Sequence, residues 1–223
     1  MITSVSGVFI YSFLGQSLHL LPQRAIYWAE TKTLIVADVH VGKINHFRKA
    51  GIAIPQIAGE TDYKALDAIL NTFPVDRVLI LGDLFHSTYN EAVVDFSTWR
   101  KKYSQTEFTL IKGNHDILKD SFYSAASLKI YEHTLIEHPF IFSHIPLEEN
   151  STYYNLSGHI HPAVRLVGKA KQSIVLPCFY FRQKNGILPA FSTFTGKALL
   201  IPATADTVFV IANQFVRPLT SAL

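Results

Sequence analysis

Apolar and polar positions alternate in two different ways along this chain. Up to Trp28 the apolar residues come in short groups separated by Gly15, Gln16 and Pro22, a spacing that predicts a hairpin and a third strand. Residues 33–37 form a compact β-branched and leucine run, too short for a helix, and Asp38-Val39-His40 and Gly42 follow it as the chain turns. That pattern predicts a buried strand ending at a loop. Beyond Pro55, Leu66, Ile69 and Leu70 stand at helical spacing, so an amphipathic helix is expected over residues 61–70, closed by Pro74. The alternation continues with a strand at 77–81, a helix at 91–103 and a strand at 107–112 that ends at Gly113. Strand, helix, strand is the signature of a βαβ sheet.

After Lys129 the helical periods fade, and short apolar groups at 140–142, 163–167, 174–181, 199–201 and 207–211 read as strands. The expected fold class is therefore α/β, with two packed mixed β-sheets that share a core and are flanked by helices. With no internal repeat, low-complexity tract or Gly/Ser linker, residues 1–223 are expected to form a single domain.

Composition narrows this picture only slightly. A chain of 223 residues with 48% hydrophobic content can bury one sizeable core, and most of its 16 Phe and 10 Tyr are expected to fill it. The formal charge of +3 permits contact with nucleic acid without demanding it, because the basic residues are scattered. One cysteine, Cys178, excludes an internal disulfide and suits a reducing compartment, so a soluble cytoplasmic protein is expected. The apolar stretch at 8–14 is interrupted by Ser12 and lacks the basic flank of a signal peptide, and no run is long enough to span a bilayer.

The chemistry is concentrated in five short pieces, each beside a predicted strand end: Asp38-Val39-His40, Gly82-Asp83, Gly113-Asn114-His115-Asp116, Ser143-His144 and Gly158-His159-Ile160-His161. Loops leaving the carboxyl ends of strands in an α/β sheet can bring distant residues to one site. The i, i+2 spacing of Asp38 with His40, and of His159 with His161, puts each pair on one side of an extended backbone. Singly, each piece is ordinary turn chemistry. Together they hold or adjoin His40, His86, His115, His144, His159 and His161, six of the ten histidines, alongside Asp38, Asp83 and Asn114. Carboxylate, imidazole and amide oxygen without a thiolate suit Mn, Fe, Zn or Ni and exclude a zinc finger or an iron–sulfur cluster.

This order of motifs resembles the calcineurin-like metallophosphoesterases. The resemblance implies a four-layer α/β/β/α sandwich and a hydrolase with two divalent ions, manganese first among the candidates. It assigns Asp38, His40, Asp83 and His161 to one ion and Asp83, Asn114, His144 and His159 to the other, with Asp83 shared. In such sites the ions lie roughly 3.5–4 Å apart and make water a competent nucleophile near neutral pH. His115 resembles the residue that protonates the leaving oxygen, a task suited to an imidazole of ordinary pKa about 6.5.

The segment Gly82-Asp83-Leu84-Phe85-His86 is similar to SbcD-type nucleases, which implies that His86 assists catalysis by orienting the phosphate or His115. A closer likeness runs through His40-Val41-Gly42-Lys43, Phe47-Arg48, His161-Pro162 and the tail Leu188-Pro189-Ala190-Phe191 with Phe194-Thr195-Gly196. These look like the PdeM family, described as ligase-associated DNA damage response endonucleases. The likeness implies a nuclease or DNA-end-processing phosphodiesterase, association with a repair ligase, and Arg48 and Asn114 as substrate contacts. Two alternatives stay open: a phosphodiesterase or phosphatase for small phosphoesters or cyclic nucleotides, and a non-catalytic scaffold that binds a repair partner. Oligomeric state is not legible in the sequence.

Overall fold

The computed structural model describes residues 6–43, 57–85, 91–147, 152–168 and 172–220. Arg48 and His86, singled out above, lie outside these residues.

The chain opens with three antiparallel strands, β1 (Phe9–Phe13), β2 (Gln16–Leu21) and β3 (Ala25–Trp28), and β3 pairs antiparallel with β4 (Thr33–Val36). From there the sheet is parallel: β4, β5 (Arg77–Leu81), β6 (Glu107–Ile111) and β7 (Leu128–Tyr131) lie side by side in chain order. The connections carry α1 (Ile57–Thr72), α2 (Glu91–Arg100) with a 3₁₀ turn over Lys101–Tyr103, and α3 (Asp120–Ala125). All three helices contribute to the core on one face of this sheet, where Leu66, Phe96, Trp99 and Tyr123 meet Leu34, Val36, Val78, Ile80, Phe108 and Leu110. Strands covered on both faces must be apolar throughout, which is why β4 and β5 read as continuous hydrophobic runs.

The opposite face packs on the second sheet. Alternate residues of the same strands, Ile26, Trp28, Ile35, Leu79, Leu81 and Ile111, meet Phe140, Phe142, Leu156, Phe179, Phe181 and Phe209. This second sheet is mixed and runs in the order β14 (Ala198–Leu199), β11 (Pro162–Val167), β12 (Ser173–Phe181), β13 (Asn185–Ile187), β10 (Tyr154–Ser157), β9 (Phe140–Ser143) and β8 (Thr134–Glu137). From β12 it branches to β15 (Thr207–Ala212) and β16 (Phe215–Pro218). Two mixed sheets with helices are thus the architecture. Among the described residues the outermost layer is not helical: the far face of the second sheet buries Val164, Cys178, Tyr180 and Val208 against Leu200, between β14 and β15, and Leu219, after β16.

The expected helix at 61–70 is longer at both ends, and the one at 91–103 finishes as the 3₁₀ turn. α3, β7, β8, β10, β13 and β16 were not anticipated from the apolar pattern. Among the described residues, no helix is long and apolar enough to cross a membrane.

Candidate metal centre

The five motifs converge where β4, β5 and β6 of one sheet and β9 and β10 of the other run out. Beyond its last paired residue β4 stays beside β5: the N–H groups of Asp38, His40 and Val41 donate to the carbonyls of Gly82, Asp83 and Leu84 at 3.2, 2.9 and 2.8 Å. In the other sheet the Gly158 N–H donates to the His144 carbonyl at 3.0 Å, so those two loops also travel together. The rim of each sheet is thereby fixed before any side chain reaches the site.

Five of the site residues adopt left-handed backbone: Asp38 (φ 54°), His40 (49°), Asp83 (52°), His159 (68°) and His161 (53°). The i, i+2 pairs are therefore not extended, contrary to the expectation from spacing. Each residue turns the chain sharply so that its side chain points inward. Such conformations cost about 1–3 kcal/mol apiece and persist only where the surroundings over-determine them. Here the paired loops do so.

Two groups of side chains result. In the first, His161 Nε2 lies 3.2 Å from Asp38 Oδ1, and Asp38, His40 and His161 place their ligand atoms within 4.8 Å of one another. In the second, His144 Nε2 is 3.0 Å from Asn114 Oδ1 and 3.1 Å from His159 Nδ1. Asp83 stands between them, with Oδ2 3.9 Å from His40 Nε2 and Oδ1 3.6 Å from His144 Nε2. His115, from the same loop as Asn114, has its ring centroid 5.5 Å from that of His40, and its backbone N–H donates to Asp83 Oδ1 at 2.9 Å. All the sequence-selected residues that the structure describes thus meet in one place. His159 and His161, two positions apart, divide between the two groups.

Asp38 and Asp83 are 0% and 3% exposed, and Asp38 Oδ1 is buried without a donor in hydrogen-bonding geometry. Two carboxylates at this depth, with ligand atoms within 4.8 Å of each other and of His144 Nδ1 or Nε2, call for positive charge between them. The imidazoles are prepared for cations as well. His144 Nδ1 is 3.0 Å from the Leu81 carbonyl, and His161 Nδ1 is 3.1 Å from the Gly196 carbonyl. A carbonyl accepts only from N–H, so both rings carry a proton on Nδ1, and a cation at the centre would take the Nε2 lone pair. Burial, then the neighbouring His144, lowers the pKa of His159 and favours its neutral, ligating form. For His161 burial acts downward, but contact with Asp38 and the Gly196 carbonyl outweighs it and the net shift is upward. This donor set fits divalent cations, with Asp38, His40 and His161 on one side, Asn114, His144 and His159 on the other, and Asp83 between.

Close approach explains two of the glycines. A Cβ on Gly113 would lie 2.2 Å from Asp83 Oδ1, and one on Gly82, itself at φ +77°, would lie 2.2 Å from His144 Nδ1. Supporting residues were less legible in the sequence. Asp116 is buried; its Oδ1 accepts from the N–H groups of Leu84 and Phe85 at 3.0 and 3.3 Å, and its Oδ2 accepts from Gly113 at 2.9 Å. It ties the Asp83 loop to the Asn114 loop, and burial pushes its pKa up to about 6. Asn155, also buried, donates to the Ile141 carbonyl and Ser143 Oγ and accepts from Leu147 N–H, bracing the turn that carries His144. Asp116 closes a motif already noticed, whereas Asn155 had no signal beyond a polar residue in a short strand. Lys43 is half-buried, and its pKa is lowered by burial against the upward pull of Asp38 and Asp83, which places a cation beside the first group.

A two-sheet α/β sandwich whose strand ends gather carboxylates, imidazoles and an amide around two adjacent points defines a metal-dependent phosphoesterase. The chain belongs to the calcineurin-like phosphoesterase family, whose sequence profile matches residues 31–185. It is similar to a nuclease of Pseudomonas putida, named MPE, with 30% identity and a TM-score of 0.81 over 95% of this chain and 100% of that one. A protein of unknown function from Aquifex aeolicus aligns with 20% identity and a TM-score of 0.39 over 58% of this chain and 78% of that one. No curated protein matches the chain.

Proposed function

We propose that this phosphoesterase is a two-metal nuclease that hydrolyses phosphodiester bonds in DNA or another exposed nucleic-acid strand, in one catalytic unit built by both sheets. The observation that carries this reading is the position of Asp83, one oxygen toward His40 and the other toward His144, between two groups of inward-facing donors. Asp38, His40, Asp83 and His161 would hold one ion, and Asp83, Asn114, His144 and His159 the other. When bound, such a pair supplies Lewis acidity that acidifies water and stabilises charge at phosphorus. Manganese is the first candidate on the family resemblance, and the mixed oxygen and imidazole donors accommodate Fe, Zn or Ni as well.

The chain's own residues do the rest. His115, half-buried at the edge of the centre, holds a proton on its imidazole and delivers it to the departing oxygen. Its main-chain bond to Asp83 sets its place relative to the ligands. Lys43, beside the first group of donors, and the Asn114 amide, in the second, contact the phosphate. Arg48 and His86 belong to this proposal on sequence grounds, as a phosphate contact and an aid to His115. Nucleic acid as substrate is supported by the 30% identity to a nuclease across nearly the whole of both chains. A role in DNA repair, association with a ligase and a cytoplasmic location rest on the tail motif and the single buried cysteine.

The test is a substrate panel with Mn-loaded protein: single- and double-stranded oligonucleotides, cyclic nucleotides, bis-p-nitrophenyl phosphate and phosphomonoesters. Cleavage of oligonucleotides is expected. Turnover of bis-p-nitrophenyl phosphate or a cyclic nucleotide with every oligonucleotide intact would remove the nuclease reading and leave a small-molecule phosphodiesterase. Two bound ions with no turnover of any substrate would leave a scaffold.

A further inference from the structure

The segment after β13, residues 188–198, lies beyond the stretch matched by the family profile, yet it touches the centre repeatedly. Leu188 N–H donates to the Ser157 carbonyl at 2.8 Å, Phe191 N–H to Ala37 at 2.8 Å and Ser192 N–H to Asp38 at 3.4 Å. Farther on, the Gly196 carbonyl receives His161 Nδ1–H at 3.1 Å, and Ala198 N–H returns to the His161 carbonyl at 3.1 Å. One stretch of chain therefore holds the backbone of Asp38 and both the backbone and ring of His161. These two residues come from different sheets, and their ligand atoms lie 3.2 Å apart.

The middle of the stretch is pinned from outside the centre. Ser192 is 2% exposed; its carbonyl accepts from Arg24 Nη1 at 3.1 Å, and its hydroxyl donates to the Asp62 carboxylate, which also accepts from Thr193 N–H. Arg24 sits in the turn before β3 and Asp62 in α1, so the anchors belong to the first sheet and its helix layer.

We propose that residues 188–198 form a strap that sets the spacing of Asp38 and His161 and holds His161 in its ligating tautomer, with Arg24 and Asp62 as positioning residues. This rests on the two-ion reading above. Without the strap, His161 has no partner fixing Nδ1–H and rotates among tautomers, which weakens the first ion's site and spares the second. Loss of such outer partners typically costs about 10–100-fold in metal affinity.

The experiment is a Mn titration followed by electron paramagnetic resonance on metal-stripped, full-length protein. Its two binding steps are assigned with His40→Ala and Asn114→Ala, each of which removes one. In Arg24→Ala/Asp62→Ala, the step lost in His40→Ala should weaken about 10–100-fold, while the other stays within about threefold. Long-range nitrogen–proton spectra of metal-free wild type at alkaline pH should show the His161 proton on Nδ1, and a tautomer mixture in the double variant. A folded double variant with wild-type affinity for both ions, or a wild-type His161 protonated on Nε2, overturns the strap. Should the double variant not fold, the wild-type spectrum decides. If wild type binds no Mn at either step, the two-ion reading fails first and takes the strap with it.

Discussion

Replacing Gly113 with alanine adds one methyl group, and its position makes the substitution a sharp test of how the centre is held. Gly113 does not have a positive φ, so alanine meets no backbone penalty there and the effect is purely one of space. The new Cβ would sit 2.2 Å from Asp83 Oδ1, 2.5 Å from Asp83 N and 3.0 Å from Asp83 Cγ. Ordinary contact begins near 3.4 Å, so the Asp83 carboxylate and its main chain must retreat by about 1 Å relative to Gly113. Metal–ligand distances tolerate only about 0.2 Å, and Asp83 faces both donor groups, so both ions should bind far more weakly. A displacement of this size costs on the order of 100-fold in rate. Overpacking at a buried site costs about 1–3 kcal/mol, which lowers the melting temperature of the metal-free protein by roughly 2–12 °C in a chain of this size. The assays are metal stoichiometry after gel filtration, turnover of bis-p-nitrophenyl phosphate and thermal melting with and without Mn. A folded variant that keeps two ions and wild-type turnover would refute the close packing of Gly113 on Asp83.

Three further outcomes follow from the same geometry. His115→Ala should keep both ions and lose about 10²–10⁴-fold in turnover; unchanged turnover would reject it as the acid. Asp83→Ala should empty both groups of donors by elemental analysis, and retention of two ions would count against its shared role. Asp62 has its pKa raised to about 6, chiefly by burial, with Ser192 and Arg24 opposing. A carboxyl whose pKa rises on folding binds more protons folded than unfolded, so its contribution is full below about pH 4 and is lost as pH climbs through about 6. The stability of wild type relative to Asp62→Asn, measured by urea unfolding of metal-free protein, should therefore fall by roughly 2 kcal/mol between pH 4 and pH 7. A flat difference would contradict it.

How far sequence reached depended on whether a feature has a side-chain signature. Strand 77–81 was legible to the residue because an uninterrupted apolar run between polar ends has no other economical reading. The convergent donor motifs were legible because histidine and aspartate beside glycine at strand ends are rare in that number. β10 was missed: Asn155 and Ser157 are buried polar residues in a four-residue strand, and they break the continuous apolar run that marks the other strands buried on both faces. The carbonyls of Leu81 and Gly196, which orient two imidazoles, belong to the main chain, so no residue type betrays them. The left-handed backbone at Asp38, His40, Asp83, His159 and His161 was equally hidden, since residues with a Cβ normally avoid it.

Each group of donors draws on both sheets: Asp38 and His40 with His161 in one, Asn114 with His144 and His159 in the other. On the two-ion reading, bound cations would act as rivets through the seam of the sandwich. On the same reading, a chain whose halves have not yet met offers neither pocket and should bind no cation there. A chelator, conversely, should pry at the joint between the halves as well as silence the enzyme.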